Sequence, residues 1–165
     1  MLFRSKLQYF DSEQNLSYVP YVVETAIGLD RMFLSVLSAS YTEEKLEDGS
    51  ERTVLRIPAQ LAPVKLAILP LVKKDGLDDK AKKIYQQLKL DFNCHYDEKD
   101  AIGRRYRRQD AIGTPYCITV DNDTLSNQTV TLRERDSMKQ ERVEINNLLS
   151  IVKSKVDITE LLRRL

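Results

Sequence analysis

The chain has 165 residues, enough for one ordinary domain or one domain plus a piece of another. Its 42% hydrophobic and 31% charged residues, with only 5 Gly and 5 Pro, allow a buried core and exclude collagen-like, low-complexity and disordered chains. The 26 Lys and Arg nearly cancel the 25 Asp and Glu, which excludes a uniformly basic nucleic-acid coat but not a local basic patch; 2 Cys and 1 His cannot build a zinc site of the usual Cys/His type.

Residues 1–17 are mixed and polar, without a clear pattern. Tyr18 to Thr25 reads as a strand, and after Gly28 the run Leu29 to Leu37 reads as a helix. That helix is apolar on almost all sides and is expected to be buried on more than one face. Arg31 falls in its first turn, where a lone cation meets the positive end of the helix dipole; this points to a functional role or to a carboxylate partner such as Asp30 or Glu24. Residues 42–51 read as an acidic loop with a turn at Asp48-Gly49, and Arg52 to Ile57 alternates weakly. Pro58 and Pro63 bracket a connector, so the expected division is 1–57, a linker 58–63, and 64–165.

The pattern then becomes regular. Val64 to Leu71 is a buried strand, and the spacing of Leu77, Ala81, Ile84, Tyr85 and Leu88 predicts a helix over about 77–90. Phe92 to Tyr96 is a second strand. Residues 100–111 are a charged helix stopped by Gly113 and Pro115, and Pro115 to Val120 is a third strand. Asp121 to Gln128 reads as a turn-rich loop, and Thr129 to Arg135 as a fourth strand. Ser137 and Gln140 match a capping box, yet Glu141 to Ile145 alternates like a strand. Asn146 or Asn147 then caps a helix through Leu148, Leu149, Ile151 and Val152. Strand–helix–strand–helix–strand with short links implies a largely parallel sheet with right-handed crossovers. The link to the fourth strand leaves no room for a helix, so that strand should be antiparallel.

No long apolar run marks an export signal or a membrane span; Leu66 to Val72 is strand-sized and interrupted by Pro70. A cytoplasmic chain with reduced Cys94 and Cys117 is therefore expected, and the sequons at Asn15, Asn122 and Asn127 read as chance matches. His95 and Cys94 have no catalytic constellation around them, and Asp121-x-Asp123 lacks the further ligands of a metal loop; no metal site is expected.

Three stretches can carry chemistry. Arg104, Arg105, Arg107 and Arg108 wrap most of a helix around one aromatic, Tyr106. Guanidinium groups match phosphates and stack on bases, and a tyrosine offers a stacking face, so RNA binding competes with a solvated helix paired to Asp91, Asp97, Glu98 and Asp100. At the end of the fourth strand, alternation puts Arg133 and Arg135 on one face and Glu134 on the other. This suits reading of unstacked bases, or else a cross-strand ion-pair ladder. Glu24 to Arg31 combines a strand-end carboxylate, Gly28 and an arginine, as a small ammonium ligand beside a phosphate would need.

Taken in order, four segments resemble the glycyl-tRNA synthetase family of class II aminoacyl-tRNA synthetases, seen from its C-terminal end. Tyr18-x-Pro-Tyr-Val-Val-Glu-Thr-Ala-Ile-Gly-Leu-Asp-Arg31 looks like motif 3, and Leu61-Ala-Pro-Val-Lys-x-Ala-Ile-Leu-Pro-Leu71 looks like the start of the anticodon-binding domain. Ile102-Gly-Arg-Arg-Tyr-Arg-Arg-Gln-Asp-Ala-Ile-Gly-Thr-Pro-Tyr116 and Val130-Thr-x-Arg-Glu-Arg-Asp136 look like that domain's most recognisable stretches.

The resemblance implies a three-layer α/β/α fold with a five-stranded mixed sheet and one antiparallel strand, with 141–145 as the fifth strand, preceded by a partial class II catalytic segment. It also implies activation of glycine with ATP, accompanied by Mg2+, and transfer of the glycyl group to tRNA(Gly), in a homodimer. In that picture Arg31 neutralises ATP phosphate, and Glu24, Thr25, Ala26, Ile27 and Gly28 line the glycine site, Glu24 holding the ammonium. Gly28, Leu29, Asp30 and Arg31 line the ATP site. Arg104, Arg105, Arg107, Arg108, Thr114, Arg133, Arg135 and Asp136 meet the anticodon. Ala26 departs from the family's usual serine, and motifs 1 and 2 are absent, so a fragment inactive on its own is expected. The competing readings are a non-catalytic synthetase-like binding module, like the accessory subunit of a mitochondrial polymerase, and a soluble α/β domain with a solvated arginine helix.

Overall fold

The computed structural model describes residues 7–47 and 49–163. The chain separates into two compact units, residues 1–32 and 33–165.

In the first unit, β1 (Tyr9–Asp11) pairs antiparallel with β2 (Leu16–Tyr18), a hairpin that the polar composition of residues 1–17 did not suggest. The Asp11 carboxylate accepts from the backbone N–H of Glu13 and Gln14, and Tyr9 packs edge-on against Tyr18 at 5.8 Å. The expected strand over Tyr18 to Thr25 does not form: beyond Tyr18 the chain runs through residues 19–28 without a ladder. Pro20 has no N–H to donate, and a strand needs a partner. Helix α1 (Leu29–Ser40) follows as predicted, but its apolar Leu29, Met32, Phe33 and Leu34 are exposed rather than buried.

The second unit contains the antiparallel hairpin of β3 (Tyr41–Lys45) and β4 (Glu51–Leu55), where an acidic loop was expected over 42–51; Asp48 lies outside the described residues. The sheet that follows comprises β5 (Leu66–Pro70), β6 (Cys94–Tyr96), β7 (Tyr116–Val120), β8 (Thr129–Glu134) and β9 (Gln140–Glu144). They stand in the order β6-β5-β7-β8-β9. β5 is parallel to β6 and β7, whereas β8 runs antiparallel to both β7 and β9. This is the mixed five-stranded sheet the sequence implied, with β9 decided as a strand.

Helices α2 (Leu77–Leu88) and α5 (Leu148–Val156) cover one face; Leu77, Ala81, Ile84, Leu88, Leu148, Val152 and Val156 pack there on Leu66, Ile68, Ile118, Val130 and Leu132. Each fully buried Leu or Ile in that stripe contributes roughly 1.5–3 kcal/mol. Helix α3 (Ile102–Ile112) lies on the other face, where Ile102 and Tyr106 meet Ala67, Leu69 and Cys117. The two cysteines are free and buried, and they belong to clusters on opposite sides of the sheet.

The expected loop between β7 and β8 holds a short helix, α4 (Asn122–Asn127). A reciprocal cap makes it possible: the Asp121 carboxylate accepts from Thr124 N–H, and Thr124 Oγ1 accepts from Asp121 N–H. Its link still reverses the chain, so β8 is antiparallel as expected. A 3-10 turn (Ile145–Asn147) precedes α5, and α6 (Ile158–Leu162) ends the described chain. Gly113 closes α3 in the left-handed region at φ 84°, and a side chain there would meet the Leu55 carbonyl of β4 at 3.1 Å.

Candidate nucleic-acid interface

Helix α3 distributes its arginines in different directions. Arg104 is exposed and makes no ion pair among the described residues. Arg105 is buried against the carboxyl ends of β5 and β6, donating to the carbonyls of Pro70 (2.5 Å), Leu71 (3.1 Å) and Asp97 (3.3 Å). Arg107 reaches the β3–β4 hairpin, at the Glu51 carbonyl and Ser50 Oγ. Arg108 is held by Asp97 (2.7 Å) and Asp100 (2.8 Å), two of the carboxylates that the solvated-helix reading named. Tyr106 does not offer an open stacking face: the Arg133 guanidinium lies 4.6 Å from its ring centre, and its hydroxyl pairs with Thr119 Oγ1.

The end of β8 is the centre of a larger construction. Arg133 and Asp110 of α3 form a two-pronged pair at 2.8 and 3.0 Å. Arg52 of β4 adds its Nε to the same carboxylate at 2.9 Å, donates to the Arg135 carbonyl, and reaches Glu44 of β3 at 3.1 Å. Arg135 donates to the carbonyls of Ile57 and Gly113, both at 2.9 Å, and grips both oxygens of Asp136 at 2.8 Å. Arg56 closes the circuit, bonded to Glu44 and 3.5 Å from Asp136. Four guanidinium groups thus share three carboxylates, and the hairpin is tied to α3 and β8. Arg52, Arg133, Arg135 and Asp110 are buried; Arg56 and Asp136 face solvent. The Asp136 carboxyl is held below the usual carboxylate range, chiefly by the Arg135 hydrogen bonds, against the effect of burial.

This network is not the cross-strand ladder considered from the sequence, because Arg133 pairs with a helix rather than a neighbouring strand. Thr114 is also internal, its hydroxyl donating to Gln109 Oε1 at 2.7 Å. Arg52, Arg56, Glu44 and Asp110 were not singled out in the sequence. They lie up to 83 residues from their partners, and only the alternation of Arg52 to Ile57 hinted that this stretch packs on something.

Arg142 of β9 is a separate anchor. Its Nε donates to Thr129 (3.0 Å), and its two terminal nitrogens share Asp121 (2.5 and 2.7 Å), Thr131 (2.9 Å) and Asp123 (3.3 Å). Asp121 and Asp123 thus serve as the carboxylate partners of an arginine. Among the described residues no three His, Cys, Asp or Glu side chains converge on a metal-sized space.

In the first unit, Glu24, Thr25, Ala26, Ile27 and Gly28 lie on the exposed segment that leads into α1, followed by Leu29, Asp30 and Arg31 at its start. Gly28 accepts from Met32 N–H at 3.0 Å. A Cβ at Gly28 would lie 3.8 Å from the Arg31 side chain. Arg31 has no carboxylate partner among the described residues, so neither Asp30 nor Glu24 neutralises it.

The family model described as "Anticodon binding domain" matches residues 65–155. Glycine–tRNA ligase of Borrelia hermsii is 52% identical over 149 residues, 90% of this chain and 34% of the relative. That of Acetivibrio thermocellus is 51% identical over 154 residues, 93% of this chain and 33% of the relative. The chain therefore spans about a third of the length of the curated relatives it matches. Among solved structures, the RNA binding domain of threonyl-tRNA synthetase from Cryptosporidium parvum matches 61% of this chain and 26% of its own, with TM-score 0.56 and 21% identity. Prolyl-tRNA synthetase from the same organism, complexed with halofuginone and AMPPNP, matches 68% of this chain and 29% of its own, with TM-score 0.57 and 17% identity. Those two likenesses establish the fold.

Proposed function

The chain belongs to the anticodon-binding domain family through residues 65–155, and from that premise we propose that it recognises tRNA(Gly) for a glycine–tRNA ligase. The observation that carries this reading is identity of about half the residues to glycine–tRNA ligases along 90% of the chain. That stretch includes the Glu24 to Arg31 segment, which a non-catalytic module has no need to keep. Residues 64–165 form the anticodon-binding part, 58–63 the linker, and 1–57 the end of the catalytic domain.

In this reading the buried Arg105, Thr114, Arg133 and Arg135 shape the anticodon surface from within. Arg104, Arg107, Arg108 and Asp136 are the groups nearest to solvent that can meet RNA. A guanidinium locked to carboxylates supplies little phosphate attraction, so Arg104 and Arg107 carry most of it, with Arg104 the more exposed.

Upstream, Arg31 carries a net positive charge to an ATP phosphate and Glu24 holds the glycine ammonium. The exposed Tyr21, Val22, Phe33 and Leu34 pack on the rest of the ligase. ATP with its Mg2+ supplies the phosphoryl chemistry. The activity, the homodimer and the cytoplasmic setting belong to the longer protein, and this chain alone is not expected to exchange pyrophosphate in the presence of glycine. Among the described residues no helix is long and apolar enough to cross a membrane.

The test is binding of the 165-residue chain to a tRNA(Gly) anticodon stem–loop against a stem–loop of unrelated anticodon, across a salt series. Tighter binding to the first is expected. Equal or absent binding by a folded chain sinks the reading.

A further inference from the structure

The α5 side of the sheet, the face opposite Arg133 and Asp110, carries a cavity of about 120 Å3 lined by Tyr116, Leu132, Glu134, Lys139, Glu141 and Lys155. Strand register assembles it. Tyr116 of β7 lies opposite Glu134 of β8, and Leu132 lies opposite Glu141 of β9. Alternation brings these four to one face of the sheet. Lys139 comes from the turn between β8 and β9. Lys155 comes from the last turn of α5, its ammonium 5.6 Å from the centre of the Tyr116 ring. The charges are not spent on each other: among the described residues neither lysine and neither glutamate forms an ion pair, and Glu134 accepts instead from the Ser137 hydroxyl at 2.5 Å. Tyr116 is only 7% exposed, yet its hydroxyl has no hydrogen-bond partner among the described residues. Burial, and after it the charge of Glu134, push the phenol pKa up, so Tyr116 keeps its proton and remains a donor. A polar group buried this far calls for a partner.

We propose that this cavity binds a small free α-amino acid, with the ligand's ammonium between Glu134 and Glu141 and its carboxylate between Lys139, Lys155 and the Tyr116 hydroxyl. A lone anion would meet two carboxylates, and a lone cation would meet two ammonium groups. A zwitterion satisfies both pairs and leaves the site neutral. Size restricts the choice further: at about 30 Å3 per water, roughly four waters fill the space, which suits glycine or alanine and not a large side chain. Leu132 is fully buried beneath the charges and gives the ligand's carbon atoms an apolar wall. Occupancy joins the β8–β9 turn to the end of α5. The proposal is independent of the tRNA-recognition reading, because the cavity lies on the other face of the sheet from the arginine–carboxylate network.

The experiment titrates the 165-residue chain with glycine and with L-alanine and follows the backbone amides of Tyr116, Glu134 and Glu141 by NMR. That readout is local to the cavity and stays apart from any glycine held by the Glu24 to Gly28 segment. Saturable shifts in the millimolar range are expected with either amino acid. Methylammonium acetate, which carries the same charges on separate ions, should give no saturable shift at equal concentration. Tyr116→Phe keeps the ring and removes the hydroxyl, and should weaken binding severalfold. Glu141→Gln, an exposed change on the edge strand, should also weaken it severalfold. If glycine and L-alanine give no saturable shift, or methylammonium acetate reproduces theirs, the cavity is a solvated cluster of charges and the proposal fails. It fails equally if folded Tyr116→Phe and Glu141→Gln both keep the parent affinity.

Discussion

The Asp110 carboxylate receives the Arg133 guanidinium on both of its oxygens, at 2.8 and 3.0 Å, with both side chains buried. Arg52 of the hairpin adds a second cation to the same group, at 2.9 Å. One carboxylate therefore bridges two buried cations from elements far apart in sequence, and Glu44 supplies Arg52 with a second. Arg133, which looks in the sequence like a base-reading side chain, holds the architecture from inside.

Asp110→Ala leaves Arg133 buried without a carboxylate and Arg52 with Glu44 alone. The expected loss is about 3–5 kcal/mol of unfolding free energy, measured by urea titration. Arg133→Met should cost less, because Asp110 keeps Arg52. An Asp110→Ala chain within about 1 kcal/mol of the parent would show that water or another group compensates the cations.

Gly113 ends α3 at φ 84° and lets the Leu55 carbonyl approach. Gly113→Ala adds a left-handed penalty of about 1–2 kcal/mol and forces the hairpin away from the helix. A reduced denaturation midpoint with an unchanged slope is expected. A neutral result would mean that the helix end relaxes freely.

Asp121 is held below the usual carboxylate range first by the Arg142 hydrogen bonds, with burial opposing them. A folded-state pKa below the unfolded one means that the unfolded chain binds the proton first as pH falls. The contribution of Asp121 is thus complete above the unfolded value and lost as pH falls through the folded one, in the range below about pH 5. Asp121→Asn should lower stability at neutral pH and flatten its acid dependence. Urea midpoints collected from pH 7 downward test this; parallel curves for the two proteins would contradict it.

Arg104 is the arginine of α3 that, among the described residues, has neither an ion pair nor a side-chain hydrogen bond. For single-stranded loop contacts, Arg104→Ala should reduce the slope of log K against log salt by about 0.7. Arg108→Ala, already paired with Asp97 and Asp100, should change it less. Filter binding or fluorescence anisotropy across the salt series measures both; equal slope changes would mean that RNA draws Arg108 away from its carboxylates.

The sheet was legible because its signals are local. Apolar runs at Leu66 to Pro70 and Tyr116 to Val120, the helical spacing of Leu77 to Leu88 and the stop at Gly113 each depend on a few neighbouring residues. The reversal of β8 followed from the length of its link. Less local features were missed. Residues 42–51 read as an acidic loop because the partner that makes them a strand pair lies across the turn: Glu44 faces Arg52, which reaches on to Asp110 of α3 and the Arg135 carbonyl. The strand expected after Tyr18 had the right composition and no partner.

By itself the sequence determined the parallel-then-antiparallel sheet, its covering helices and the stretches that match the anticodon-binding domain family. Only the tertiary structure decided which arginines are free. A guanidinium reads the same in sequence whether it faces water or is buried. Its availability depends on carboxylates and carbonyls brought to within 3 Å by the fold, as Asp110 is to Arg133 and the Gly113 carbonyl to Arg135.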